Sequence, residues 1–183
     1  MKIQNRIILL SAGVLLAGMF SFKMLSAEWK INQKEAKITW TMPNGKHDGT
    51  ISGLDAKITF DPAQAENGLI KATVEVKSID AKNEKLNGHL LTTDFFDAEK
   101  HPTISFTAEK ITKNDSGFVA TGKLAMRDSV HTIDIPFKFI NGEKESSIKG
   151  TIDIFAGDYG VGKKSEAGND RVLITIEVPM IKE

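Results

Sequence analysis

Apolar and polar residues alternate along most of this chain, and the alternation is the strongest constraint on its fold. In residues 69–79 the apolar side chains of Ile70, Ala72, Val74 and Val76 share one face, and polar or charged residues occupy the other. Successive side chains of a strand point to opposite faces, so a period of two is typical of a strand with one buried face. The pattern therefore predicts an antiparallel sheet around a single core.

The same alternation predicts seven further strands, at residues 29–42, 49–60, 103–110, 118–126, 130–140, 147–155 and 171–180. In the second of these runs Ile51 is out of phase with Leu54, and a β-bulge at Gly53 would bring it back into phase. Pro136 has no N–H to donate to a neighbouring strand, so it favours a sheet edge or a bulge.

About eight strands with short connections predict an all-β fold, an antiparallel barrel of roughly eight strands with one short helical insertion. A sheet of this size can close on itself and hold a small ligand. A two-sheet sandwich fits the same alternation and stays open as an alternative. Small residues on the apolar faces either leave room for a cavity or accommodate sheet twist, and these are Ala56, Ala72, Ala120, Gly122 and Gly150.

Residues 87–106 interrupt the run of strands. Leu86 and Leu90 are four residues apart, which is typical of one face of a short helix. The pair Phe95 and Phe96 follows, and we expect the preceding Asp94 to cap a turn. An apolar segment in this position is expected to close over one end of the barrel.

The first 27 residues read as a signal peptide, followed by one domain at residues 28–183. Lys2 and Arg6 precede an apolar run of about 14 residues, which is shorter than the roughly 20 needed to cross a bilayer. Cleavage after Ala27 would place the protein in the periplasm or outside the cell, without stable membrane insertion. An uncleaved N-terminal anchor is the rival interpretation.

Charge and cysteine content narrow the classes of function. Lys and Arg together number 24, as do Asp and Glu, so a nucleic-acid partner is not expected. The basic pairs Lys82/Lys85 and Lys163/Lys164 are interpreted as solvated loops rather than phosphate sites. The absence of cysteine excludes disulfides, a thiol nucleophile and a cysteine metal site.

No catalytic or metal motif stands out in the sequence. The four histidines, at positions 47, 89, 101 and 131, have no tight ligand spacing, and we expect His89 to fix the helix end by a hydrogen bond. The chain also lacks a G-x-S-x-G turn. We expect no enzyme activity, no metal and no cofactor, while a hydrolase or histidine metal site stays as a minor alternative.

Three motifs make the chain from about Trp29 onward resemble the YceI-like family of exported, lipocalin-like polyisoprenoid-binding proteins. The most specific runs from His89-Leu90 through Thr93-Asp94-Phe95-Phe96-Asp97 to His101-Pro102 and Ile104-Ser105-Phe106, with Thr93 replacing a Ser or Ala and His101 a Tyr. The second is Gly122-Lys123-Leu124-Ala125-Met126-Arg127, with Asp128 replacing a Gly. The third is Asp158-Tyr159-Gly160-Val161, where Ala156 stands in place of a frequent Arg.

This resemblance implies a lipocalin-like barrel with a helix beside its mouth and a long apolar chain in its lumen. The expected occupant is an isoprenoid lipid of the polyprenyl phosphate or quinone type, or another long-chain amphiphile, held for transport, storage or sequestration. A structural or stress-response barrel without lipid is the alternative, and homodimerisation is left open. The residues expected to bind the ligand are Trp40, Phe60, Leu86, Leu90, Phe95, Phe96, Phe106, Phe118, Leu124, Met126, Phe137 and Phe139.

Overall fold

The protein is described here by a computed structural model, which covers residues 28–32, 34–43, 45–142 and 145–182. The predicted signal peptide lies outside the described residues. The strands are β1 (Glu28–Ile31), β2 (Lys37–Thr41), β3 (Asp48–Ile51), β4 (Asp55–Thr59), β5 (Leu69–Glu75), β6 (Ile79–Asp80), β7 (Thr103–Asn114), β8 (Gly117–Met126), β9 (Ser129–Ile140), β10 (Ser146–Phe155) and β11 (Arg171–Lys182). One α-helix, α1 (Glu84–Leu90), lies within these ranges, with short 3₁₀ turns at Ala65–Asn67, Val76–Ser78 and Ala156–Tyr159.

Eight of the strands pair in a closed antiparallel ring. Its order is β1, β4, β5, β7, β8, β9, β10 and β11, and pairing of Trp29 with Lys182 and of Ile31 with Met180 joins β11 back to β1. The predicted antiparallel barrel is thus confirmed, and the sandwich alternative is not. Strands β2, β3 and β6 continue the sheet beside β11.

Each of the first three predicted strands is split into two. The bulge expected at Gly53 is wrong, because Gly53 has a φ of +67° in a break between β3 and β4. On the two sides of the break the chain meets different neighbours: β3 pairs with β2, and β4 pairs with β1. Ile51 nevertheless faces the barrel interior with Leu54, as the alternation indicates.

The third predicted strand ends early for a similar reason. β5 stops at Glu75, and after a 3₁₀ turn β6 pairs with β3 instead of continuing along β7. The helix α1 begins soon after β6 and is tied to it by Asn87, whose side chain accepts from Ala81 N at 2.7 Å and donates to Asp80 at 2.9 Å. This departure from β7 makes space at one end of the barrel.

Pro136 marks a partial edge inside the ring. On one side it pairs with Val119 of β8. On the other side, β9 and β10 pair only between Phe137–Ile140 and Ser147–Gly150, so Pro136 is the first residue beyond that ladder. The missing N–H of proline is compatible with this position, as expected for a sheet edge.

An aromatic cluster closes the end of the barrel opposite α1. Phe60 is fully buried, and its ring centroid lies 5.0 Å from Phe118, 5.6 Å from Phe137 and 5.4 Å from Phe139. We call this the closed end. The other end, which we call the mouth, is formed by α1 and by loop residues 42–43, 45–47, 91–102, 127–128 and 156–170. Over the described ranges, the structure contains no helix with the length and apolar character of a membrane span.

Candidate functional site

The ring encloses a cavity of about 590 Å³ that reaches the mouth. This volume lies within the usual range of about 300–1,000 Å³ for small-molecule sites. Aliphatic side chains from nearly every strand line it, among them Ile38, Ile58, Val74, Ile104, Ile152 and Ile174. Polar side chains enter the lining mainly from the mouth, so the body of the cavity suits an apolar chain.

Small inward residues account for part of this space. Ala56, Ala72, Ala120 and Gly150 line the cavity. Gly122 has a different role, because a Cβ at that position would lie 2.2 Å from Thr107 O, across from the register shift in β7. Small residues therefore leave room for the cavity at most of these positions, whereas Gly122 accommodates the close approach of a neighbouring strand.

Nine of the twelve predicted ligand-binding residues lie on the cavity wall: Trp40, Leu86, Leu90, Phe95, Phe96, Phe106, Leu124, Met126 and Phe137. The other three, Phe60, Phe118 and Phe139, are not part of that wall. They pack in the closed end, where Phe60 meets Phe118 edge to face and Phe137 links the cluster to the cavity. These three residues were predicted to bind the ligand, but the structure places them in the aromatic cluster rather than on the cavity wall.

Other lining residues were missed at the sequence level. Strands β10 and β11 contribute Ile148, Ile152, Ile154 and several residues of the final strand. Their alternation predicts an inward face, but it does not separate aliphatic residues that line a cavity from those that fill a core. The mouth contributes His47, Lys163, Ser165 and Asn169. No local pattern distinguishes these polar loop residues from solvated ones.

The segment after β6 forms a lid over the mouth. Asn83 caps α1 by accepting from Leu86 N at 3.0 Å, and the half-buried side chains of Leu86 and Leu90 face the cavity. We define the lid as residues 84–96. Since α1 has just seven residues, its position depends on packing against the barrel rather than on intrinsic helix stability.

Main-chain hydrogen bonds hold the turn that carries Phe95 and Phe96. Phe96 N donates to Leu90 O at 3.0 Å, and Asp97 N donates to Thr92 O at 2.8 Å. Asp94, expected to cap this turn through its side chain, contributes its carbonyl oxygen, which accepts from Gly162 N at 3.1 Å. The His89 ring makes a tilted contact with Phe95, with ring centroids 4.5 Å apart. The helix end is held through the main chain of His89, whose carbonyl oxygen accepts from Thr92 N at 3.1 Å and from Thr92 Oγ1 at 2.8 Å.

Arg127 connects the lid to the loop opposite it. It sits in the turn between β8 and β9 with a φ of +53°, and its Nη1 donates to the carbonyl oxygens of both Phe95 and Gly160. Nearby, His131 Nε2 lies 3.1 Å from Asp158 O, and the His131 ring contacts Tyr159. The second and third sequence motifs therefore meet the first one at the mouth.

Two departures from the motif pattern lie side by side. His101, in place of Tyr, has its Nε2 3.4 Å from an oxygen of Asp128, which stands in place of Gly. The distance exceeds that of a good hydrogen bond but allows an ion pair when the imidazole is protonated. The two substitutions thus form a contact that the usual pair of residues would not make.

Ion pairs and hydrogen bonds occupy several acidic groups around the mouth. Lys164 Nζ lies 2.6 Å from Asp158, and Arg171 Nε donates to Asp153 at 2.8 Å, which lowers the pKa of that carboxyl. Burial, and secondarily Asp158, raise the pKa of Tyr159. Within the described stretches, histidine and acidic residues do not form a group of three placed to hold a metal ion.

Known proteins share both the sequence pattern and the fold. Residues 29–180 match the YceI-like domain family. A UPF0312 protein of Azotobacter vinelandii is 26% identical over 143 residues, which cover 74% of each chain. One of Photorhabdus laumondii is 30% identical over 78 residues, covering 43% of this chain and 41% of its own.

Solved structures extend this likeness. BcnA of Burkholderia cenocepacia superposes with a TM-score of 0.76 at 22% identity, covering 82% of this chain and 99% of its own. The YceI protein of Campylobacter jejuni gives 0.65 at 26% identity, with 74% and 84% covered. A polyisoprenoid-binding domain from Saccharophagus degradans gives 0.61 at 10% identity, with 87% and 99% covered, which is a likeness of fold alone. With a family match across most of its length and the same barrel in its structural relatives, this chain belongs to the YceI-like domain family.

Proposed function

We propose that this protein is an exported, non-enzymatic binding protein that holds the apolar tail of an isoprenoid lipid inside its barrel. The observation that carries the proposal is the 590 Å³ apolar cavity under a lid made of Leu86, Leu90, Phe95 and Phe96. The fold shared with a polyisoprenoid-binding domain from Saccharophagus degradans supports the same class of ligand. The proposed ligands are polyprenyl phosphates or quinones, carried or sequestered outside the cytoplasm.

The apolar wall has a direct consequence for affinity. Burial of one methylene contributes about 0.8 kcal/mol, so one five-carbon isoprene unit contributes roughly 3 kcal/mol before the ordering of the tail is subtracted. Two or three buried units are therefore sufficient for binding near the micromolar range. We expect affinity to depend strongly on tail length and more weakly on the headgroup.

The proposal that the protein is exported depends on the sequence of residues 1–27. A basic start, an apolar run and Ala27 before residue 28 favour cleavage by a signal peptidase. Mass determination of the protein recovered from a periplasmic fraction tests this part separately. A cytoplasmic protein that retains its first 27 residues would contradict it.

The decisive experiment is identification of the bound lipid. The protein is purified without added lipid, extracted with organic solvent, and the extract is examined by mass spectrometry. We expect an isoprenoid amphiphile in stoichiometric amount, and the emptied protein should rebind a series of prenols with affinity rising with tail length. An emptied protein that takes up no member of the series would overturn the proposal.

The alternative is a barrel that acts through protein contacts and is filled by its own side chains. The placement of Phe95 and Phe96 on the wall of an open cavity argues against this alternative. A lipid-free protein recovered from its native cells, together with failed uptake, would favour it again.

A further inference from the structure

Two neighbouring lysines at the mouth have different surroundings. Lys164 is paired with Asp158 at 2.6 Å, which raises the pKa of its ammonium group, and it is not on the cavity wall. Lys163 lines the cavity, and among the described residues it has no ion-pair partner. The two lysines, which the sequence presents as one solvated loop, therefore differ: Lys164 belongs to an ion pair, and Lys163 belongs to the cavity wall.

Lys163 shares the cavity wall with two histidines, His89 and His47. Gly162, the preceding residue, approaches Phe95 so closely that a Cβ there would lie 3.2 Å from the ring. Phe95 also contacts His89, whose ring centroid lies 4.5 Å from that of Phe95 and which lines the cavity as well. His47 adds a second imidazole to the cavity lining from the turn between β2 and β3.

Two acidic groups near the mouth are paired with lysines other than Lys163. Asp158 is paired with Lys164, and Asp48 with Lys82. Of the described residues on the cavity wall, Asp170 is the one acid; it is 7% exposed, its Oδ2 accepts from Gly157 N at 3.2 Å, and its Oδ1 has no hydrogen-bond partner. Asp94 is exposed, and its main-chain carbonyl oxygen accepts from Gly162 N, next to Lys163.

We infer that the cavity mouth is a subsite for an anionic headgroup, contacted by Lys163 with His89 and His47 beside it. The inference rests on the proposed function and chooses within it: a single-tailed amphiphile ending in a phosphate or carboxylate fits, whereas a neutral quinone leaves Lys163 unpaired. The apolar tail lies in the lumen and the charge stays at the rim, where a Lys ammonium remains hydrated. The headgroup charge is therefore recognised at the protein surface, while burial of the tail supplies most of the binding free energy.

The test compares three probes with one tail: geranylgeranyl phosphate, geranylgeranoic acid and geranylgeraniol. We expect both anionic probes to bind about tenfold more tightly than the alcohol at low salt, with the difference shrinking as salt is raised. The tighter of the two anions identifies phosphate or carboxylate as the source of the charge. Equal affinity for all three overturns the subsite and leaves the lipid-binding function intact, while binding of none overturns both.

A matched pair of variants locates the charge. Lys163→Gln should weaken binding of the preferred anion about two- to fivefold and leave binding of the alcohol unchanged, since one exposed ion pair contributes modestly. Lys164→Gln, its sequence neighbour, should leave both affinities unchanged. Equal losses in the two variants would mean that general loop charge attracts the anion, and the assignment to Lys163 would be wrong. Thermal melting checks that both variants are folded.

Discussion

Two deeply buried aromatic residues have different roles at opposite ends of the barrel. Phe60, which is fully buried, is the centre of the closed end, and Tyr159, 3% exposed, supports the mouth. Phe60 contacts other aromatic rings, while Tyr159 packs against His131 and follows the acidic Asp158. Phe60 therefore contributes mainly to packing, whereas Tyr159 is expected to make the stability of the fold depend on pH.

Replacing Tyr159 by Phe should remove a loss of stability at alkaline pH. Burial, then Asp158, raise the pKa of the Tyr159 hydroxyl above its ordinary value of 10.0. The unfolded chain therefore releases this proton first, so the stabilising contribution is complete below pH 10 and is lost as pH rises through the raised pKa. Urea denaturation at pH 7 and pH 10.5 should show a smaller alkaline decrease for Tyr159→Phe. Parallel decreases in both proteins would contradict this role.

Phe60 and the lid phenylalanines should respond differently to truncation. Phe60→Ala opens a cavity in a fully buried cluster and should lower the free energy of unfolding by about 3–5 kcal/mol. Phe95 and Phe96 are half-buried on the cavity wall, so their double replacement by Ala should destabilise less. It should instead accelerate release of a bound prenol, measured after dilution of the loaded protein.

The outcome for the double variant separates a lid from a core. Hydrogen exchange in β11 should stay close to that of the wild type, since Arg171–Lys182 forms a long ladder with β10. A double variant that fails to fold would show that these rings belong to the core, and the lid interpretation would be wrong.

At the scale of elements, the mouth is held by contacts between loops rather than by a continuous ladder. The lid meets the loop after β10 through Asp94 O and Gly162 N, and Arg127 donates to both segments. The left-handed φ of Arg127 aims its side chain from a tight turn toward the two carbonyl oxygens. One guanidinium thus couples two segments that are far apart in sequence.

Arg127→Ala should loosen both segments together. Amide hydrogen exchange should become faster in residues 92–97 and 157–162, and a bound lipid should dissociate several-fold faster, while the free energy of unfolding should fall by about 1–3 kcal/mol as two carbonyl contacts are lost. Arg127→Gly suits the positive φ and separates backbone strain from side-chain contacts. Lys123→Ala, which removes a surface ion pair with Glu109 on β7, serves as the control. Faster exchange in one segment alone would rule out the coupling.

At the scale of the whole molecule, closure of the ring creates the cavity. The join between β11 and β1 leaves the interior bounded on all sides, the aromatic cluster fills one end, and the lid covers the other. A ligand that binds this folded form but not the unfolded chain stabilises it by about 2.7 kcal/mol at a hundred times its dissociation constant. Binding and stability are therefore measurable in one titration.

Filling the cavity should abolish binding without unfolding the barrel. Ala72 lines the cavity between Ala56 and Phe106 on the neighbouring strands, so Ala72→Leu puts a larger side chain into the lumen. We expect prenol affinity to fall at least about tenfold, and the melting temperature of the empty protein to stay the same or rise. Ala125→Leu places the same addition on the opposite face of β8 as the control. Undiminished affinity in Ala72→Leu would place the ligand elsewhere.

Much of the barrel could be predicted because its signals are local. Alternation identified the face of Ile70, Val74 and Ile104, and these side chains do line the interior. Gly53 shows the limit: a glycine between two alternating runs is compatible with a bulge or a break. Pairing with strands distant in sequence decides for a break, because β3 pairs with β6 and β4 pairs with β1.

The sequence by itself determined the all-β class, the inward face of each strand and the apolar lid, since these follow from neighbouring residues. Tertiary structure alone decided how far along the barrel each inward residue lies. Phe60 and Phe106 share the same inward pattern, but one packs in the closed end and the other lines the cavity. It also separated Lys163 from Lys164, because an ion pair with Asp158 depends on where two parts of a loop meet in space.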